Sequence, residues 1–175
     1  MKLRTVGPSI VLFLVYSSSI AQQTSATTGS DLFLSQNDLP RVLRLAPGLV
    51  TSTNKGTKET HAYLASQELS QRQISQIMMN ISVAYTAIKL EEYLKQVQPL
   101  LDEKSKDQQY RQYIAQAQKQ LADLTQKYQT AQKDGRSALD VNKEYVMKNQ
   151  AAVEELMVHI RNMKVESLPK DLTKE

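Results

Sequence analysis

The sequence predicts an all-α protein: three long amphipathic helices in an antiparallel bundle behind a disordered N-terminal leader. Two observations carry this. Between Lys58 and Leu168 only two strong helix breakers occur, Pro99 and Gly135, and they cut that stretch into three pieces of helical length. Each piece repeats its apolar residues at spacings of three and four, the period that puts them on one face of a helix. The 175-residue chain has no cysteine, so packing rather than disulfides must hold any secreted form together.

The N-terminus comes first. Lys2 and Arg4 form a short basic region, Ile10 to Tyr16 is a continuous apolar run, and Ser17 to Ala21 supplies small residues. This three-part order is that of a secretory signal with a cut near Ala21-Gln22. The apolar run is far shorter than the ~20 residues a membrane span needs. Loss of Lys2 and Arg4 lowers the formal charge from +4 to +2. The basic pI therefore gives no reason to expect nucleic acid as a partner, and no Lys/Arg-rich cluster is present. Residues 22–57 are rich in Ser, Thr, Asn, Gly and Pro, with apolar residues confined to Leu32-Phe33-Leu34 and a patch from Leu39 to Val50. This composition reads as an extended, mostly disordered leader. Pro40 and Pro47 disfavour helical geometry in the residues before them.

The helical domain is placed at 58–168. A first helix is predicted over Thr60–Val97, with Ile74, Ile77, Ile81, Ala84 and Ile88 on its apolar face and Met78 and Tyr85 widening it. Glu91 and Lys95 stand four apart in the favourable order on its solvent side. A second helix is predicted over Leu100–Lys133, where Tyr110, Ile114, Ala117, Leu121, Leu124, Tyr128 and Ala131 form a heptad seam. Asp134-Gly135-Arg136 supplies a turn, and Ser137 with Asp140 reads as a cap with an acidic third residue. The third helix carries Leu139, Val146, Val153, Leu156, Ile160 and Met163 on one stripe; Asn142 and Asn149 share it, read as lying at its solvent edge, the alternative being polar residues that fix register by pairing within the seam. Pro169 ends it, and 169–175 form a polar tail. Short connections between helices of about 45–55 Å imply an antiparallel bundle. The modest core, with no Trp, implies self-association along an exposed seam.

Few residues carry recognisable chemistry. Without cysteine there are no thiol nucleophiles or sulfur-ligated metals. The two histidines, His61 and His159, belong to no metal-binding or catalytic spacing. Glu155 precedes His159 by four residues, whereas a carboxylate-bridged metal pair in a bundle needs three, twice over. No phosphate-binding glycine loop or nucleophile elbow occurs. The sequence therefore points away from an enzyme, with no catalytic residue, metal or cofactor expected. Asn80-Ile81-Ser82 matches the glycosylation sequon, making Asn80 a candidate acceptor.

One short segment has the character of an address. Arg41-Val42-Leu43-Arg44 sets two guanidinium groups around an apolar pair, about twenty residues beyond the signal. In an extended leader it would be open to a receptor, a processing protease or an anionic surface. Lipid contact through two charges is worth only ~2 kcal/mol, too little to anchor the chain. The order of signal, Arg-x-Leu-Arg and compact helical domain resembles the RxLR family of secreted oomycete effectors. The resemblance covers the architecture of the whole chain and three motif identities. It departs from that family in lacking a Glu-Glu-Arg element, which neither Lys58-Glu59 nor Glu68 with Arg72 supplies, and in lacking Trp. The resemblance implies secretion and delivery into the cytoplasm or nucleus of host plant cells. There the helical domain would bind host proteins and suppress defence or cell death. The rival expectation is an extracellular helical protein that binds lipid or partner helices and has no translocation role.

Overall fold

The computed structural model describes residues 29–103, 108–129 and 131–164. The predicted signal at 1–21, the first part of the leader and the polar tail lie outside the described residues. A 3-10 turn at Gly29–Leu32 leads into helix α1 (Asp38–Lys55), α2 (Thr57–Ala65), α3 (Gln71–Glu103) and α4 (Gln108–Gln129). A two-stranded hairpin follows, β1 (Gln132–Lys133) and β2 (Arg136–Ser137), and then α5 (Ala138–Lys148) and α6 (Gln150–Arg161). The protein is thus mostly helical. The described residues form six α-helices, and the longest of them, α3, takes part in both apolar clusters.

Residues 38–55 correct the expectation of a disordered leader. They form an 18-residue helix whose Leu39, Val42, Ala46 and Leu49 are buried in the main core. The physical reason is the spacing of those four residues, three and four apart, which averaging over the surrounding Ser, Thr and Pro conceals. Pro40 lies in the first turn, where a backbone N–H has no intrahelical acceptor to lose. Pro47 lies inside the helix and removes one bond, a loss the buried face offsets. Ser35 and Asp38 lock the entry: the Ser35 N–H and hydroxyl donate to the Asp38 carboxylate, each at 2.7 Å. Gly56 ends the helix with φ of 135°, a region that favours glycine, and so turns the chain into α2.

The predicted first helix is two helices. Ser70 and Gln73 form a reciprocal capping box: the Gln73 N–H donates to the Ser70 hydroxyl, and the Ser70 N–H to Gln73 Oε1. This starts α3 afresh at Gln71. Pro99 does not end α3, which continues to Glu103. In α4 the seam faces inward as predicted, with Ile114, Ala117, Tyr128 and Ala131 buried and Leu121 and Leu124 half-buried. The predicted third helix breaks at Asn149, whose side-chain amide donates to the Tyr145 carbonyl at 2.8 Å. Its apolar stripe is nevertheless buried throughout, from Leu139 to Met163. The hairpin turn has positive φ at Asp134 and Gly135, the conformation that suits an Asp-Gly hairpin.

Two apolar clusters result. The larger joins α1 to α3, α5 and α6 through residues such as Val42, Ile81, Val146 and Leu156. The smaller joins Met79, Val83 and Ala87 of α3 to Tyr128, Ala131, Ala138 and Leu139. Helix α3 lies in both. Its polar side is also tied down, though not as the local spacing suggests. Glu91 accepts Lys143 Nζ of α5 at 2.5 Å rather than pairing with Lys95. At the surface, Lys148 and Arg136 hold the Glu144 carboxyl at about 2, well below the usual carboxylate range.

Helix α2 packs on α1 at a glycine. A Cβ at Gly48 would stand 2.4 Å from the Tyr63 ring, whose hydroxyl donates to the Leu45 carbonyl at 2.9 Å. Helix propensity alone favours Ala over Gly by about 1 kcal/mol. Overpacking costs about 1–3 kcal/mol and here would also displace the tyrosine hydroxyl. Gly48→Ala is therefore expected to destabilise the protein in urea unfolding. In a Tyr63→Ala background the same change is expected to be neutral or stabilising.

Candidate functional site

Two places claim attention: the arginine pair on α1, and the groove that holds the segment in front of it. On α1 the two arginines lie one turn apart on the outward face. Both are exposed, while Leu43 between them is half-buried and Val42 is 1% exposed. Lys55 shares the outward side with Pro40, Pro47, Thr51 and Asn54, and no acidic residue of α1 joins them. Asp38, the one acid of the helix, is turned back to accept the Ser35 N–H and hydroxyl. The tetrapeptide is thus a helical display of two cations anchored by a core valine. The expectation of an extended, readable strand is corrected, because extending it would pull Val42 and Leu39 out of the core.

The second place was not visible as a site in the sequence. Residues 31–36 form a strap across α3 and α5, and two buried asparagines hold its main chain. Asn80 of α3 donates from Nδ2 to the Asp31 carbonyl at 2.8 Å. Its Oδ1 accepts from Gln76 Nε2 at 2.9 Å and from the Tyr128 hydroxyl at 3.4 Å. Asn142 of α5 grips the next residues from both directions. Its Nδ2 donates to the Leu32 carbonyl at 2.7 Å, and its Oδ1 accepts the Leu34 N–H at 2.9 Å. Farther along, the Tyr145 hydroxyl donates to the Gln36 carbonyl and accepts the Leu39 N–H, both at 3.3 Å. The side chains of the strap divide between the clusters: Leu32 and Phe33 pack on the smaller, Leu34 on the larger.

These contacts overturn two sequence readings. Asn80 is 1% exposed and its Nδ2 is already bonded, so the folded domain has no room for a glycan there. The same nitrogen that would carry the sugar holds the strap. Asn142, placed at the solvent edge of its stripe, is also 1% exposed and belongs to the interior. The one signal that could have found it is its position, three residues after Leu139 and four before Val146 on an otherwise apolar stripe.

A third feature is a polar cleft of about 570 Å³ lined by Glu91, Thr125, Gln129, Ser137, Asp140 and Lys143. Its charged groups are largely satisfied by one another. Lys143 pairs with Glu91, and Asp140 receives the Ser137 hydroxyl at 2.7 Å. His61 is exposed on α2 and His159 half-buried on α6. Among the described residues no group of His, Cys, Asp or Glu is placed to hold a metal ion. No helix among them is long and apolar enough to cross a membrane. The large apolar side chains most open to solvent, Tyr113, Met147 and Val158, stand on three different helices.

No family model, no curated protein and no solved structure matches this chain.

The clamp leads to two expectations. Asn142→Ala leaves the Leu34 N–H and the Leu32 carbonyl buried without partners, each at about 1–3 kcal/mol. A clear fall in the urea midpoint should follow, with faster amide exchange at Leu34 than at α1 residues. Burial of Tyr128 raises its hydroxyl pKa well above the ordinary 10.0. A pKa raised in the folded state means stability that is complete below pH 10 and falls as pH rises above it. The unfolding midpoint is expected to drop above pH 10, and to drop less steeply in Tyr128→Phe.

Proposed function

We propose that this chain is a secreted effector whose helical domain works by binding host proteins after delivery into plant cells. Its action there is suppression of defence signalling or of cell death, exerted by occupying a partner's surface. The observation that carries the reading is the order of elements: a signal-like N-terminus, the Arg41-Val42-Leu43-Arg44 segment, and a helical domain. The two exposed guanidinium groups support it further, since they are free to meet an acidic partner. In this reading the address is the outward face of α1, with Arg41 and Arg44 presented at helical spacing.

One observation favours a second reading. Val42 is part of the core, so the tetrapeptide is also explained as ordinary helix sequence with exposed arginines at surface positions. The protein would then be an extracellular helical binding protein with no translocation role. The double change Arg41→Ala/Arg44→Ala separates the two, because exposed substitutions of this kind usually alter stability by less than ~0.5 kcal/mol. Under the effector reading, residues 22–175 made inside plant cells reduce the death response to a co-expressed elicitor, with or without the arginines. Protein supplied from outside enters the cells only with them. Unchanged cell death at normal accumulation of the protein argues against the effector reading, and identical location of both forms supports the extracellular one.

A further inference from the structure

We propose that Asp134 is a site of spontaneous covalent modification. It closes to a succinimide on the Gly135 nitrogen and reopens as isoaspartate, which adds a main-chain carbon to the hairpin between α4 and α5. The sequence offers the residue pair, and the structure supplies the conditions for the reaction.

The attacking nitrogen is accessible. Lys133 pairs with Arg136 as the last rung of the hairpin, and the bonds of such a rung join the N–H and carbonyl groups of those two residues. The Gly135 N–H lies inside the turn, outside that ladder. Asp134 and Gly135 are both exposed. A Cβ built on Gly135 would meet nothing within 4 Å, so that side of the turn is open.

The backbone stands one peptide flip from the reactive geometry. Ring closure requires Asp134 Cβ and the Gly135 nitrogen to eclipse each other about the Cα–C bond. For an L residue this means ψ of about −120°, the value at the first central residue of a type II′ turn. Asp134 has φ of 53° and Gly135 of 73°, and positive values at both central residues belong to type I′. The two turns share a positive φ at the first residue and differ by rotation of the peptide unit between the central pair. Both suit paired flanking strands, so the flip needs no separation of β1 from β2. Type II′ favours Gly over Asp at that first position; the reactive form is therefore brief, and its rarity sets the rate. Asp31, Asp38, Asp123 and Asp140 lie in helical segments, where ψ is held far from that value. Each is followed by Leu or Val, whose side chain crowds the attacking nitrogen.

The reaction needs only water. The Gly135 nitrogen bonds to Asp134 Cγ and gives up its hydrogen, and the carboxyl hydroxyl leaves with it as water. Water then adds to one of the two ring carbonyls. Cleavage at Cγ restores aspartate. Cleavage at the main-chain carbonyl leaves Gly135 bonded to Cγ and frees an α-carboxylate. One water leaves and one returns, so the mass is unchanged and nothing is oxidised or reduced. The product no longer fits a two-residue turn. The strain falls on a short joint: Arg136 pairs with Glu144 at 2.7 Å, the Ser137 hydroxyl accepts the Asp140 N–H at 3.2 Å, and the Ala138 N–H donates to the Ala131 carbonyl at 2.9 Å. Ala131 and Ala138 both belong to the smaller apolar cluster, which isoaspartate therefore loosens.

The experiment incubates the full chain at 37 °C and pH 6 beside a free peptide with the sequence of residues 131–138. Isoaspartate is read by enzymatic methylation of its α-carboxylate and located by fragment mass spectrometry. It is expected at residue 134 of the full chain, forming no more than about ten-fold more slowly than in the peptide, as a low-cost local opening allows. A lower rate, or an equal yield at Asp38 or Asp140, overturns the proposal. Gly135→Ala is expected to slow the conversion by about ten-fold or more; an unchanged rate means that the Gly135 nitrogen is not the attacking group. Should that variant not fold, Asp134→Asn decides, since Asn-Gly is a pair that type I′ turns favour. It loses ammonia to the same ring and is expected to gain about one dalton at residue 134, again within about ten-fold of its own free peptide. A constant mass overturns the proposal. In the isomerised chain the Ala138 amide should exchange faster than in fresh protein, while that of Ala84 in α3 keeps its rate. Equal exchange at Ala138 overturns the loosening of the joint.

Discussion

Two amides buried on neighbouring helices are the constraint from which the rest of the architecture follows. A carboxamide removed from water must find partners for both its oxygen and its nitrogen. Asn80 on α3 and Asn142 on α5 find most of theirs on one short stretch of backbone. That shared demand fixes the distance between the two helices and the path of the chain entering α1. It also joins the two apolar clusters, because successive strap side chains drop into one and then the other. Networks of this kind specify a single arrangement when complete and are costly when partly met. Tyr128 adds to the same network from α4 through its hydroxyl.

The helical class and the inward faces of the last two predicted helices were legible because they depend on periodicity, which a single sequence displays. Ile114, Ala117, Tyr128 and Ala131 are buried as their spacing requires, as are Val146, Val153, Leu156 and Ile160. What escaped was decided by single residues acting against local averages. Ser70 and Gln73 start a new helix inside what periodicity read as one. Asn149 breaks another with its own side chain. The region around α1 was misread because prolines and small polar residues outnumber its four core residues, although those four are correctly spaced. The strap was the least legible feature. Its bonds join residues about fifty and more than one hundred positions apart, and no local pattern encodes such a pairing.

The charged surface follows a different logic from the core. Several long charged side chains are paired with a neighbour: Lys143 with Glu91, and Arg136 and Lys148 with the same Glu144. On α1 the one acid accepts from Ser35, and the arginines of the outward face are exposed. A helix that presents cations on one side and core residues on the other is suited to holding position while meeting an acidic partner. Under residues 31–34 the chemistry is the opposite, apolar side chains with two buried amides that hold the main chain of the same protein.

Burial of Val42 inverts the tolerance of the tetrapeptide that contains it. In an Arg-x-Leu-Arg pattern read from an extended chain, the second position carries no information and any residue serves. Here that position is the most closely packed of the four, while the arginines on either side are open to solvent. Random variation would therefore be rejected first at the position the pattern leaves free. Arginine could drift to lysine or glutamine without loss of fold. A survey of viable variants would recover a motif written in aliphatic side chains, with the charges optional unless something outside the protein requires them.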